Sequence, residues 1–249
     1  MIAFSDFTKS YSKKNTNAVG PVSFTVGDAS ISALVGENGA GKTTILKAAC
    51  ALHYATGGCV SVAGSGGAAY DAATDSGIVK SLVGFVPERY SLPKDAKPAE
   101  LLDEKASAFG LSGREKEAAV LRAAERCSLF GVLFRKNKTL SKGFLQRLSF
   151  ALALVNDPPN LVLDEATSAL DPAEAAEIRS LIKTLGKTKA VLLSTHALHE
   201  AGDLCDEIII LHRGKIAARG TERAIAEAAG EATLEKAYLR FTQRDEGDT

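Results

Sequence analysis

The sequence predicts an α/β protein built on a mainly parallel sheet. Three observations predict it. Short apolar runs alternate with stretches of helical character along most of the chain. A glycine-rich loop, Gly36–Gly41, stands between one such run and a helix-forming stretch. A block rich in Ala, Glu, Lys, Arg and Leu, roughly residues 89–158, interrupts the alternation and reads as a helical insertion.

The elements follow in order. Residues 1–35 alternate short β-like runs with turns, and Val22–Val26 ends at the turn pair Gly27-Asp28. Ile31–Val35 reads as a buried strand that stops at Gly36. From Lys42 to Leu52 no Gly or Pro interrupts helix-favouring residues. Gly57–Gly77, rich in Gly, Ala and Ser, reads as a weak hairpin and a surface loop. Val83–Val86 is a strand stopped by Pro87, and Ala99–Leu129 reads as two helices broken at Gly110 and Gly113. A third helix, Lys142–Val155, sets Leu145, Leu148, Leu152 and Val155 on one face and ends at Asp157-Pro158-Pro159-Asn160.

Leu161–Leu163 is a short buried strand running into Asp164-Glu165. Asp171-Pro172-Ala173-Glu174 has the form of a helix start, with a capping Asp, Pro at the first helical position and Glu at the third. Ile178, Leu181, Ile182 and Leu185 give that helix an apolar face. Ala190–Leu193 and Glu207–Leu211 are strands, and Arg213-Gly214 turns the chain into Lys215–Ala218. Helical patterning continues to about Phe241, and Arg244–Thr249 is expected to fray.

Composition narrows the function. Lys plus Arg number 30 and Asp plus Glu number 30, so the formal net charge is zero. That argues against a whole-chain polyanion binder, and no nucleic-acid partner is expected. Apolar residues make up 45% and charged residues 24%, ordinary for a globular protein and far from disorder. No apolar run approaches the roughly 18 residues of a membrane span, and the N-terminal Met1-Ile-Ala-Phe-Ser-Asp6 has no signal-peptide form. The four cysteines are scattered without metal spacing, which suits reduced thiols in a reducing compartment.

Gly36-Glu37-Asn38-Gly39-Ala40-Gly41-Lys42-Thr43-Thr44 matches the phosphate-loop pattern Gly-x4-Gly-Lys-Ser/Thr. Glycines permit backbone torsions that point successive N–H groups at phosphate oxygens. The following helix offers its positive end to the same anion. Lys42 is expected to reach the β and γ phosphates of a nucleoside triphosphate, and Thr43 to ligate Mg²⁺. Asp164 and Glu165 stand at the C-terminal end of a strand, where open parallel sheets bind ligands. Asp164 is expected to hold Mg²⁺ through water, and Glu165 to orient or deprotonate the attacking water.

Three further segments carry a family resemblance. Leu140-Ser141-Lys142-Gly143-Phe144-Leu145-Gln146-Arg147 precedes the third helix, Ser168-Ala169-Leu170-Asp171 follows the acidic pair, and Ser194-Thr195-His196 ends the next strand. With Gly36–Thr44 and Leu161–Glu165, this ordered set resembles the ATP-binding-cassette (ABC) ATPases over nearly the whole chain. The resemblance implies a phosphate-loop NTPase (RecA-like) core, a small antiparallel β subdomain and an inserted α-helical subdomain. In the numbering of this chain the core and β parts are 1–88 and 159–220, the helical part is 89–158, and 221–249 is a helical tail.

The resemblance also implies a partner set. Two such subunits, identical or different, close head to tail over ATP and Mg²⁺. Each ATP lies between the phosphate loop of one and Ser141, Lys142 and Gly143 of the other. His196 bridges the γ-phosphate and Glu165, and Asp171 couples the two sites, although the same Asp also fits a plain helix cap. Tyr11 resembles the family's adenine-stacking aromatic, with an exposed or half-buried strand Tyr as the alternative. An integral membrane permease is the further partner, at the cytoplasmic face of the membrane.

Two departures stand out. The signature reads Leu-Ser-Lys-Gly-Phe where Leu-Ser-Gly-Gly-Gln is common, and Val86-Pro87-Glu88 carries Glu where the family usually has Gln. Glu88 is still able to accept from water or approach Mg²⁺. Lys142 together with Glu88 resembles the exporter-type single-cassette branch. The leading reading is the ATP-hydrolysing subunit of such an exporter. The alternative is a soluble ABC ATPase in a non-membrane assembly, of the kind serving iron–sulfur clusters. A phosphate-loop kinase has no need of Ser141–Gly143 or His196. A GTPase should show Asn-Lys-x-Asp, and Asn137-Lys138-Thr139-Leu140 lacks the Asp.

Overall fold

The computed structural model describes residues 1–11, 17–64, 66–168 and 170–243. The expected fraying of Arg244–Thr249 falls outside them. The strands are β1 (Ile2–Ser10), β2 (Asn17–Val26), β3 (Ser30–Val35), β4 (Gly57–Ala63), β5 (Ala69–Asp71), β6 (Val83–Val86), β7 (Asn160–Asp164), β8 (Ala190–Thr195), β9 (Glu207–His212) and β10 (Lys215–Gly220). The helices are α1 (Lys42–Ala49), α2 (Ser76–Leu82), α3 (Pro98–Ala108), α4 (Gly113–Arg126), α5 (Lys142–Leu154), α6 (Pro172–Gly186), α7 (Leu198–Leu204), α8 (Glu222–Ala229) and α9 (Leu234–Gln243).

The strands form two sheets. An antiparallel sheet runs in the order β2-β1-β4-β5, and a six-stranded sheet in the order β10-β9-β3-β8-β7-β6. In the second, β3, β6, β7, β8 and β9 are parallel, and β10 adds an antiparallel edge. A parallel sheet covered on both faces explains why its strands read as continuous apolar runs. Alternate residues go to opposite sides. Ala33, Leu163, Leu193 and Ile210 join a core shared with α5 and α6. Leu34, Val162, Leu192 and Ile209 join a second core shared with α1 and the antiparallel sheet. Each such Leu, Ile or Val side chain contributes roughly 1.5–3 kcal/mol by leaving water.

Several elements depart from the sequence expectation. The helix after the glycine loop stops at Ala49, because Cys50 caps it and Ala51 takes φ +52°. Within the region read as hairpin and loop, β4 and β5 do pair, but α2 also forms beside them. α7 had no anticipated counterpart. α5 buries more than one stripe: Gln146, Leu148, Ser149, Phe150, Ala151 and Leu154 are all buried, while Leu145 and Leu152 are only half-buried. A helix packed between a sheet and other helices loses the simple amphipathic pattern. Among the described residues, no helix is long and apolar enough to cross a membrane. The four cysteines are free thiols.

Candidate functional site

Strand register assembles the site. Val35 pairs with Thr195, Asp164 with Ser194, and Val86 with Leu163. Because β3, β6, β7 and β8 are parallel, their carboxyl ends lie along one edge of the sheet. The residues that follow them (Gly36, Glu88, Glu165 and His196) therefore open onto one cleft of about 530 Å³. Gly36, Glu37, Asn38, Gly39, Gly41, Lys42, Thr43, Thr44, Glu88, Asp164, Glu165 and His196 all line it. Ala40 lies in the same loop but is buried.

The loop conformation needs its glycines at two places. Gly41 has φ +107°, and a Cβ there would meet Val19 Cγ2 at 2.4 Å. At Gly36 a Cβ would meet the Leu211 carbonyl oxygen at 2.3 Å. The loop wraps Lys42, which is 6% exposed and donates to the carbonyls of Gly36 at 2.6 Å and Glu37 at 3.2 Å. Its ammonium is thus held at the N-terminus of α1, on the wall of the cleft.

The acidic pair divides into two roles of position. Asp164 is 4% exposed; its Oδ1 accepts from Ser194 Oγ at 2.6 Å and lies 3.5 Å from Thr43 Oγ1. Glu165 takes φ +48°, and its amide donates to Ser194 Oγ at 3.1 Å. That turn swings its carboxylate toward His196, whose Nδ1 lies 2.7 Å from Oε2. The imidazole stays largely exposed while the carboxylate is mostly covered. Thr43 and Asp164 present two hard oxygens on one wall, which fits Mg²⁺, a cation that takes few protein ligands and completes its shell with phosphate and water.

Other predicted residues lie elsewhere. Ser141 caps α5, accepting from the Phe144 amide at 3.3 Å, and donates to Glu174 Oε1 at 3.3 Å. Asp171 caps α6, accepting from the amides of Ala173 at 3.0 Å and Glu174 at 2.9 Å, so its capping reading holds. Lys142 is exposed and Gly143 is packed against the Glu174 carboxylate. None of these four lines the cleft. Tyr11 sits outside the cleft lining too; its hydroxyl is 3.2 Å from Thr44 Oγ1 and its ring meets His53 edge-on.

Local electrostatics follow from this packing. Burial pushes the Cys50 thiol far up, and the negative charge of Asp164 adds to the effect. Burial and then Glu174 raise the Tyr90 hydroxyl above its ordinary range. Burial, with Lys47 and Lys9 nearby, lowers His53.

The family model for ABC transporters matches residues 19–168, more than half of the chain. The chain belongs to the ABC transporter family. It is an ATPase cassette of mixed α/β fold. The chain is 35% identical over 211 residues to the Nod factor export ATP-binding protein I of Burkholderia lata, covering 84% of this chain and 68% of that protein. It is 32% identical over 232 residues to the methionine import ATP-binding protein MetN 1 of Staphylococcus aureus, covering 90% and 67%. Among solved structures, an ATP-binding subunit of an ABC transporter superposes with a TM-score of 0.84 at 29% identity, covering 97% of this chain and 99% of that one. The dimeric post-hydrolysis state of the cassette MJ0796, bound to ADP and Pi, gives 0.77 at 25%, covering 89% and 98%.

In this ABC ATPase, three residues at the site carry no assigned role in the sequence reading, although two of them, Ser168 and Ser194, open its motif segments. Ala18 and Ser168 line the cleft, and Ser194 ties Asp164 to the Glu165 backbone. Ser194 carried a usable signal: a hydroxyl at the end of an otherwise apolar buried strand needs a partner. Ala18 carried none, because it reaches the cleft from β2 through tertiary packing alone.

Proposed function

We propose that this chain is the ATP-hydrolysing subunit of an ABC exporter, acting with a separate integral membrane permease at the cytoplasmic face of the membrane. The observation that carries the hydrolytic half is the 2.7 Å contact between His196 Nδ1 and Glu165 Oε2 beside the phosphate loop. Glu165 orients the attacking water and accepts its proton. His196 holds that carboxylate and faces the γ-phosphate. Lys42 and the loop amides bind the phosphates. Mg²⁺, when bound at Thr43 and Asp164, neutralises phosphate charge. Glu88 borders the same cleft and accepts from water there.

Two copies, identical or different, close head to tail. Ser141, Lys142 and Gly143 of one then meet the γ-phosphate held by the other, and Asp171 links the two sites. Tyr11 stacks on adenine. Support for the closure is that Ser141–Gly143 and the phosphate cleft are separate surfaces of one chain. The helical part, 89–158, docks the permease. A second cleft of about 570 Å³ beside the loop after Glu88 supports this, with Pro87, Tyr90, Leu92, Phe109 and Leu152 in its wall. Lys142, Glu88 and the export relative favour outward transport; the methionine import relative marks the opposite direction as the competing outcome.

The test is purification of tagged Glu165→Gln protein with ATP from detergent-solubilised membranes of the source cell. Stoichiometric co-purification of a polytopic membrane protein, with a nucleotide-locked dimer, is expected. Soluble partners alone, with nothing in the membrane fraction, would move the function to a non-membrane assembly.

A further inference from the structure

One buried carboxyl group has no part in the chemistry above. Glu200, on α7, is 5% exposed. Its Oε1 accepts from Thr167 Oγ1 at 2.7 Å and its Oε2 from Thr195 Oγ1 at 2.9 Å. Thr167 lies two residues beyond Glu165, and Thr195 immediately precedes His196. Thr195 Oγ1 also accepts from the Ala197 amide at 3.1 Å, while its own proton goes to Glu200, whose carboxylate oxygens only accept. At these distances both bonds are direct.

We infer that Glu200 is a positioning residue: it clamps the loop after β7 to the end of β8 and so sets the Glu165–His196 contact. β7 and β8 are already paired up to Asp164 and Ser194. One further backbone bond, from the Glu165 amide to the Ser194 carbonyl at 3.2 Å, follows, and the two segments then diverge into a turn and a helix. The carboxyl group spans this divergence with one oxygen for each side. A displacement of about 1 Å at a reacting group costs on the order of 100-fold in rate, so a clamp at this place acts on turnover rather than on nucleotide binding. The inference rests on the roles proposed for Glu165 and His196.

The chemistry of the clamp also predicts which substitution is tolerated. Thr195 already accepts from the Ala197 amide and donates its one proton to Glu200, so an acceptor is what best replaces the carboxylate oxygen on this side. Thr167 is able to reverse and accept. Glutamine therefore fits, with its carbonyl toward Thr195 and its amide toward Thr167. Alanine leaves both hydroxyls without the acceptor.

The experiment compares Glu200→Gln, Glu200→Ala and Thr167→Val in the full chain. Steady-state phosphate release gives kcat and KM for ATP. The ¹⁵N resonance of His196 Nδ1, read without nucleotide, reports the Glu165 hydrogen bond directly. Glu200→Ala and Thr167→Val are expected to lower kcat about 10-fold or more, leave KM within about 2-fold, and shift the Nδ1 signal. Glu200→Gln is expected to stay within about 3-fold of the parent with the signal in place. Thr167→Val keeps the comparison open if Glu200→Ala does not fold. An unchanged Nδ1 signal in Thr167→Val, or Glu200→Gln as damaged as Glu200→Ala, overturns the clamp. Absence of turnover in the parent chain would instead count against the ATPase reading, while the Nδ1 signal still decides the clamp.

Discussion

The phosphate cleft and the Ser141–Gly143 turn are both built around helix N-termini, yet they are finished differently. In the cleft, Lys42 and Asp164 are buried and Glu165 is mostly covered, and each is already held by its own chain: Lys42 by two loop carbonyls, Asp164 by Ser194, Glu165 by its backbone turn and the exposed His196. At the turn, Ser141 and Lys142 are exposed, and the Ser141 hydroxyl meets a single acidic neighbour, Glu174. The first surface has its polar groups fixed before ligand arrives, which is how electrostatic preorganisation is achieved. The second is a cap on α5 with its outward face exposed. The contrast supports a division of labour in which the cleft binds and reacts, while the turn senses that the cleft of a partner is loaded.

Substitutions break or sharpen this contrast, and they rank by size. Glu165→Gln is expected to remove steady-state ATP turnover by about 100-fold or more while leaving nucleotide affinity intact. Phosphate release and calorimetry on the same preparation check it, and substantial remaining turnover would shift the base to another group in the cleft. Lys42→Ala is expected to weaken nucleotide binding by on the order of 10- to 100-fold, since a hydrogen bond to a charged group is worth about 1.5–3 kcal/mol. Equilibrium titration with a fluorescent nucleotide reads this in the isolated chain.

Ser141→Ala should separate the two surfaces. Nucleotide binding to the single chain is expected to be unchanged, while turnover at saturating ATP falls about 10-fold, because one donor to the trans phosphate is lost. Loss of the cap on α5 also costs about 1 kcal/mol of stability, visible as a lower Tm. A parallel loss of binding in the single chain would mean that the turn belongs to the same site as the cleft. Glu88→Gln carries the smallest effect. Glu88 is half-exposed, with Arg89 Nε 3.6 Å from its carboxylate, so turnover is expected to change by no more than several-fold. Complete loss would show that the carboxylate itself is required.

What the sequence determined by itself is local chemistry. Gly36–Thr44, Asp164-Glu165 and the helix start at Asp171 are each readable from neighbours. Glycine torsions, a strand end and a capping Asp with Pro after it act within a few residues of chain. The same locality made β3, β6 and β7 legible, apolar runs that end at Gly36, Pro87 and the acidic pair Asp164-Glu165.

Tertiary structure decided the rest. α2 and α7 are short, and their formation depends on packing rather than on their own periodicity, since short helices are marginal alone. The breadth of burial on α5 depends on which neighbours surround it. The pairing of His196 with Glu165, the support of Asp164 by Ser194, and the bridging of Thr167 and Thr195 by Glu200 all follow from the register of β7 against β8. That register is a hydrogen-bonding and burial choice made between segments about thirty residues apart, and no residue type at either position specifies it alone.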